Sequence, residues 1–453
     1  MNKMFIGWAE ESITPDKKVS LRGQFAERIS EYVEKPITAT AMAVECGDEQ
    51  MILVSCDLVG INEVLLNDIR EELKDNNLGI DPSKVILSAI HTHTGPSYAK
   101  KDVNNFSMTN KERIEEVLGR EITYIEKQNV SDNPDIISQE ETFAFLVERI
   151  TKSIVSSWEN RKEGSFSNAF GRAAVGMCRR ATYSDGSAQM WGETNQAVFE
   201  ALEAGNDSGI ELMYVFGEND KLTGIVANLA CPAQCVQHRL FVSPDFWGEV
   251  KMLLRERFGE DLFLLALCSA AGDQCPVDLV RWVEPESDVN DPNIDRKYPV
   301  KRKADPSMFD LEGMRLTGRR IAREIIAVFE DGLDEAQKEV ELKHEVRIMH
   351  LPLRRVTLSQ KTAAEKGIKE YFATKKNDTI DYNDIAHVQV HTGILSRFEL
   401  QNEENVLNTE VHIIKMGSVA IATNPFELFI DYGNKIKARS NAEQTFLIQL
   451  ANG

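Results

Sequence analysis

The sequence predicts an α/β fold in which mixed β-sheets are flanked by helices. Three observations predict it: apolar strands that come in pairs around short polar turns, amphipathic stretches between those pairs, and single apolar strands that follow a helix. Taken along the chain, residues 1–9 already read as a strand. Residues 39–46, the turn Gly47-Asp48-Glu49-Gln50 and residues 51–56 form a hairpin pattern, and so do 211–216, 217–220 and 222–229. A third pattern runs through 410–415, Met416-Gly417-Ser418 and 419–423. Stretches 62–74, 142–158, 246–258, 311–329 and 426–438 carry apolar residues at helical spacing. Hairpins make antiparallel neighbours, whereas strands 85–90 and 262–267 follow helices and are expected to extend a sheet covered on both faces.

No Gly/Ser-rich or Pro-rich linker divides the 453 residues and no solenoid period recurs, so one domain over 1–453 is expected. Residues 99–133 and 283–306 read as surface insertions, candidate lids or rims, and 357–382 as a charged helical stretch at the periphery. With 42% hydrophobic and 27% charged residues the chain can build a sizeable core. A formal net charge of −20 repels phosphate backbones and anionic lipid, which disfavours nucleic-acid partners and electrostatic membrane docking and leaves a small-molecule substrate open. No apolar run approaches the ~18 residues of a membrane span. The first residues lack a basic segment, an apolar stretch and a cleavage site, so a cytoplasmic location, or a mature form whose leader was removed, is expected. The seven cysteines, at 46, 56, 178, 231, 235, 268 and 275, lack paired spacing, and most are expected to be reduced and buried.

The residues just past the strand ends carry the chemistry. Strand 85–90 runs into His91-Thr92-His93-Thr94-Gly95-Pro96, where alternate residues of an extended chain aim two imidazoles to one side. That is the pattern of a metal site, or of a polar strand end with satisfied imidazoles. Strand 51–56 ends in Asp57, strand 222–229 in Cys231-Pro232-Ala233-Gln234-Cys235, strand 262–267 near Gly272-Asp273-Gln274-Cys275-Pro276, and strand 419–423 in Asn424-Pro425-Phe426-Glu427. Ligand and catalytic groups of α/β sheets gather at the carboxyl ends of strands, so these segments are expected to converge.

Over most of its length the chain, through these motifs in this order, resembles the catalytic region of the neutral/alkaline non-lysosomal ceramidase family, zinc-dependent hydrolases of N-acyl amides, as a divergent member. His91 to Pro96 is similar to the family's HTHSGP, Gly272 to Pro276 to its GDVSP, Pro425-Phe426-Glu427 to its PGE segment, and Ser243 to Gly248 to its SADxxG stretch. The resemblance implies Zn2+ as cofactor, with His91 and Glu427 among its ligands. It asks for a second histidine where this chain has Cys231-Pro232-Ala233; His238 is the nearest imidazole, with Cys231 and Cys235 as the alternatives. The family's tyrosine ligand lies past a segment that 451–453 resembles, so the expectation is either a sequence cut short there or a site that is built differently. Cys275 replaces the serine of GDVSP and is a candidate nucleophile, ligand or inert packing residue. Asp273 can hold an imidazole or an arginine, or cap a turn. Within Arg179-Arg180, Arg180 is the candidate to fix a carboxylate or an oxyanion. Asp57 is a candidate to order an imidazole.

In the mechanism so implied, zinc polarises the carbonyl and His93 moves protons as general base and then acid. Family members acting on ceramide carry an added C-terminal β domain and are usually exported; this chain shows neither, so a smaller N-acyl compound is expected. Two other readings stay open: an ester or phosphoester hydrolase using the same metal site, and a non-catalytic descendant that binds a small molecule. His344, His350, His387, His391 and His412 fall in strand-like or polar segments and are taken as structural, without partners.

Overall fold

Burial along the first strand sets the layers. In the computed structural model, which describes residues 1–24, 27–74, 78–100, 106–124, 133–280, 309–375, 379–403 and 405–453, β1 (Asn2–Ser12) lies in the middle of a mixed sheet. The other strands are β2 (Thr38–Cys46), β3 (Glu49–Cys56), β4 (Val85–Ala89), β5 (Lys162–Arg172), β6 (Gly209–Phe216), β7 (Leu222–Leu229) and β8 (Phe263–Cys268). Their order is β8-β7-β6-β5-β1-β2-β3-β4, with Glu339–Val340 adding to the end of β1. The first two expected hairpins are present, β2/β3 with Ala43 opposite Ile52 and β6/β7 with Met213 opposite Val226. The two strands that follow helices add in parallel, β4 beside β3 and β8 beside β7.

Strands β1 and β5 pair only from Met4 to Ile6, so the sheet divides into two four-stranded halves that fold onto one another. Trp8 stacks on Phe263 at 5.7 Å, and Ser55 Oγ donates to the Ala266 carbonyl at 2.6 Å. Met4, Met42, Leu53, Met213, Val226 and Leu265 fill the space between the halves. Alternate residues of the same strands point outward, as the two-residue period requires, and each outward face is covered by helices.

The helices are α1 (Glu63–Lys74), α2 (Phe106–Leu118), α3 (Gln139–Glu159), α4 (Phe246–Phe258), α5 (Asp310–Asp331), α6 (Leu358–Ala373), α7 (Tyr382–Leu400) and α8 (Ile430–Arg439). Leu65 and Ile69 of α1 and Leu146 and Ile150 of α3 pack on Ala41 and Val54, whereas Val250 of α4 and Ile321 and Ile325 of α5 pack on Leu212 and Ile225. Each such side chain, fully buried, stabilises by about 1.5–3 kcal/mol, which is what commits each amphipathic stripe to its half. Helix α3 begins earlier than its apolar periodicity indicates because Ser138 and Glu141 form a capping box.

A second sheet, β9 (Leu342–Pro352), β10 (Val406–Met416), β11 (Val419–Thr423) and β12 (Gln444–Ile448), contains the third expected hairpin as β10/β11 and a parallel β11/β12 pair. Its Ile414, Ile421, Phe446 and Ile448 join the core between the halves. The charged stretch 357–382 becomes α6 and the approach to α7, which pack with α2 around Ile114, Ile368 and Val388. His387 and His391 therefore sit on a helix and not in a strand. The expected insertion 283–306 lies outside the described residues, as do 101–105 and 125–132 of the other one. All seven cysteines are free and buried. Among the described residues no helix is long and apolar enough to cross a membrane.

Candidate active site

The ends of β4, β7, β8, β11 and β12 are laced together by main-chain hydrogen bonds. Ala233 N donates to Ile90 O (3.3 Å), Ser269 N to Leu229 O (2.9 Å), Gln449 N to Cys268 O (3.1 Å), Ala451 N to Asn424 O (3.0 Å) and Asn452 N to Leu87 O (3.1 Å). Glu427 reaches this junction because α8 starts at Ile430 and not at 426, as its periodicity predicts. Side chains hold this segment: Asn424 Oδ1 accepts from Phe426 N, Gln449 Oε1 from Leu428 N and Asp273 Oδ1 from Ile430 N. Gly272 permits the crossing, since a Cβ there would lie 2.1 Å from the Glu427 carbonyl oxygen.

His91 sits at φ 68°, a left-handed conformation that is costly for a side-chain-bearing residue and that turns its ring into the junction. Its Nδ1 is 2.6 Å from Val59 O. A carbonyl only accepts, so Nδ1 carries the hydrogen and Nε2 of the neutral ring presents a lone pair. His93 Nε2 lies 3.2 Å from that atom and 2.8 Å from Gln234 Nε2. Gly23 lies against the His93 ring, where a Cβ would come within 2.4 Å of Cγ, and Arg28 donates to the His93 carbonyl. Burial lowers the pKa of His91, against the opposing pull of Glu427, and it lowers that of His93 much further, helped by the neighbouring charges of His91, Arg28 and Arg179. Both rings are therefore neutral near pH 7. His93 Nδ1, Gln234 Oε1 and Arg179 Nε are buried without a protein partner.

Facing the pair, Glu427 Oε1 is 3.9 Å from His91 Nε2, and the carboxylate is 49% exposed while the imidazole is buried. Its Oε2 is 3.6 Å from Arg179 Nη2, which also donates to Gly272 O at 2.8 Å. The expected arginine, Arg180, pairs with Glu203, and Arg179, which lies between the short strands Met177–Cys178 and Arg180–Tyr183, is the one that meets Glu427. Asp273 caps the start of α8, and its carbonyl oxygen accepts from Arg179 N, so it fixes the loop that carries Glu427. Cys275 lies in the short strand Gln274–Cys275, buried with Val277, Leu279 and Phe309. Asp57 accepts from both the amide and the hydroxyl of Thr38, and burial raises its pKa. Gln234 is the residue that sequence reasoning passes over, and within Arg179-Arg180 it favours the other arginine, Arg180. The signal for Gln234 is its place in the motif ending β7, between two thiols that are the more obvious candidates.

No protein-family model matches the sequence, and no curated protein matches it. Among solved structures, neutral ceramidase from Pseudomonas aeruginosa superposes with a TM-score of 0.64 at 16% identity, covering 100% of this chain and 68% of that one. A structure of ceramidase complexed with C2 gives 0.65 at 14% identity, covering 100% and 69%. The fold is ceramidase-like. Within this ceramidase-like fold, of the zinc ligands that the resemblance implies, His91 and Glu427 face each other at 3.9 Å. His238 faces Asp310, 3.7 Å from Nε2, and stacks on Phe309. Cys231 and Cys235 are buried, and burial raises their pKa well above the usual thiol range. Among the described residues no group of three or more His, Cys, Asp or Glu side chains is arranged to hold a metal ion.

Proposed function

We propose that the chain hydrolyses an amide bond in a small N-acyl compound. The observation that carries this reading is the open cluster at the strand junction: two neutral imidazoles with their Nε2 atoms 3.2 Å apart, faced by the half-exposed Glu427 and its partner Arg179, in a ceramidase-like fold. Arg179 is fixed by Gly272 and Trp191, whose ring lies 5.8 Å beneath the guanidinium, and in this reading it stabilises the negative charge that develops on the substrate carbonyl oxygen. Glu427 takes the proton of the attacking water as the C–O bond forms and delivers it to the nitrogen as the C–N bond breaks. What supports that role is its exposure beside an otherwise buried cluster. Of the zinc ligands implied by the resemblance, His91 and Glu427 face each other while His238 is engaged by Asp310, and no step of this reading runs through a metal.

The test is release of free amine from a panel of N-acyl amines and N-acyl amino acids, run beside matched esters and phosphoesters. Turnover confined to the amides supports the reading, whereas turnover confined to esters or phosphoesters, or none at all, rejects it.

A further inference from the structure

We infer that two copies of this chain pair antiparallel along the free edge of β9, with Ile348 of one opposite Ile348 of the other. Strand β9 closes the second sheet: β10 lies on one side of it, and among the described residues no strand pairs with its other side. Residues facing each other in an antiparallel ladder either exchange both N–H and C=O or turn both away. His344 N donates to Glu49 Oε2 at 3.2 Å, and the His344 carbonyl accepts from Lys84 Nζ, so His344 turns both groups away from β10. Just beyond the two ends of the strand, Gly417 N donates to Glu341 O at 3.2 Å and Leu353 N to Asn405 O at 2.9 Å. Odd-numbered residues of β9 therefore bond to β10, and Val346, Ile348 and His350 present their backbone groups to the open side.

The open stretch is bounded at both ends. At His344 the outward groups are already taken by Glu49 and Lys84, and at Pro352 there is no N–H to give. Ile348 stands midway between these two residues, so the stretch is its own complement. In a copy turned about a two-fold axis through Ile348, the two Ile348 residues exchange both backbone groups, and Val346 of each copy does so with His350 of the other. This self-matching register is what selects a second copy as the occupant. The side chains agree with it. Ile348 is 52% and Met349 41% exposed, and pairing removes apolar surface of both from water. Glu345 and Arg347 bond to each other, so the edge brings no net charge to the axis. Edges are ordinarily shielded by shortness, by unpaired charge or by an internal proline, whereas β9 runs for 11 residues with its proline at the very end. Pairing would join two four-stranded sheets into one continuous sheet.

The experiment is sedimentation velocity of the full chain from about 1 to 200 µM, together with cysteine cross-linking; circular dichroism checks the folding of each variant. Wild-type protein is expected to pass from monomer to dimer within this range. Ile348→Lys sets two ammonium groups against each other on the axis and weakens the dimer at least tenfold, while Ile413→Lys, at an exposed position of β10 away from the edge, stays within threefold. The seven native cysteines are buried and free, so an added thiol reports alone. Directly opposed residues of such a pair have Cα atoms about 5.5 Å apart, within disulfide reach. Ile348→Cys is therefore expected to form a covalent dimer when diamide takes the two thiol hydrogens. Val346→Cys and His350→Cys cross-link when mixed and not separately. A wild-type protein that stays monomeric throughout, a dimer that survives Ile348→Lys, or cross-linking of Val346→Cys alone as readily as of Ile348→Cys overturns the inference. None of these outcomes bears on the hydrolase reading, which amine release tests by itself.

Discussion

The chain holds two pairs of neighbouring histidines, each with a glutamate, and they differ in whether their hydrogen bonds close. In the pair on the second sheet, His344 Nδ1 meets Gln50 O at 3.0 Å, His344 Nε2 meets His412 Nδ1 at 2.8 Å, and His412 Nε2 meets Glu410 at 2.8 Å. Glu410 then receives both arms of Arg70, and Asn452 bonds to Glu410 and contacts His412. Every ring nitrogen has a partner. At the strand junction the imidazoles are as close, with centroids 4.8 Å apart against 5.0 Å, yet His93 Nδ1 and Gln234 Oε1 are left over, the carboxylate stands off at 3.9 Å and is half exposed, and His91 carries backbone strain. Like residues thus do two jobs. A closed network ties sheets together, and an open one retains donors and acceptors for something that is not part of the chain.

The comparison breaks first where the open cluster is cut. Arg179→Ala, with folding retained, is expected to lower kcat for amide hydrolysis about 10²–10³-fold, the usual loss on removing one donor to an oxyanion; a purified variant with unchanged kcat refutes the role. In the closed cluster, Glu410→Ala leaves Arg70 largely buried without its ion pair and is expected to cost about 3 kcal/mol, measured by urea unfolding, with turnover per folded molecule unchanged. An activity loss larger than the stability loss would blur the two regions.

Acid sharpens the same contrast. Burial, followed by the charges of His412 and Lys84 and opposed by the Gln50 carbonyl, lowers the pKa of His344 from 6.5 to about 4. Its folded-state value lies below its unfolded one, so its contribution is complete above about pH 6.5 and is lost as pH falls towards about 4. Glu410 is lowered from 4.5 to about 2 through its hydrogen bonds to His412 and Arg70, against burial, and its contribution is lost from about pH 4.5 down through 2. His344→Gln should flatten stability between pH 6.5 and 4 while leaving the lower limb; an unchanged slope shows that another group titrates there. The smallest effect is expected at His238, whose partner Asp310 already binds Arg239 at 2.6 and 2.8 Å. His238→Ala should cost under about 1 kcal/mol and leave kcat within twofold.

Much of this is legible in the sequence. The three hairpins, the parallel additions at 85–90 and 262–267 and the polar motifs after the strands depend on local periodicity, which a single chain carries. His91 and His93 can be singled out because one strand end presents both. His344 and His412, expected to lack partners, in fact hold each other, and the sequence hides it: the two rings meet diagonally across β9 and β10, where His412 stands opposite Val346, and nothing local encodes that register. The roles within Arg179-Arg180 are not legible either: Arg179 is held in the site by bonds to Asp273 O and Gly272 O, which lie far away in the sequence. The late start of α8 is hidden for a related reason, because Leu428 N, before the helix, goes to Gln449 and Ile430 N, at its start, goes to Asp273, side chains that are remote in the sequence.

The most direct test compares the two pairs in one assay. Amine release from N-acyl amides is measured, per folded molecule, for wild-type protein, for His91→Ala and His93→Ala, and for His344→Gln and His412→Gln. Wild-type turnover that falls at least a hundredfold in the first two variants and stays within twofold in the second two, which lose stability instead, is the expected result. No wild-type turnover, or equal losses of turnover from both pairs, contradicts the account.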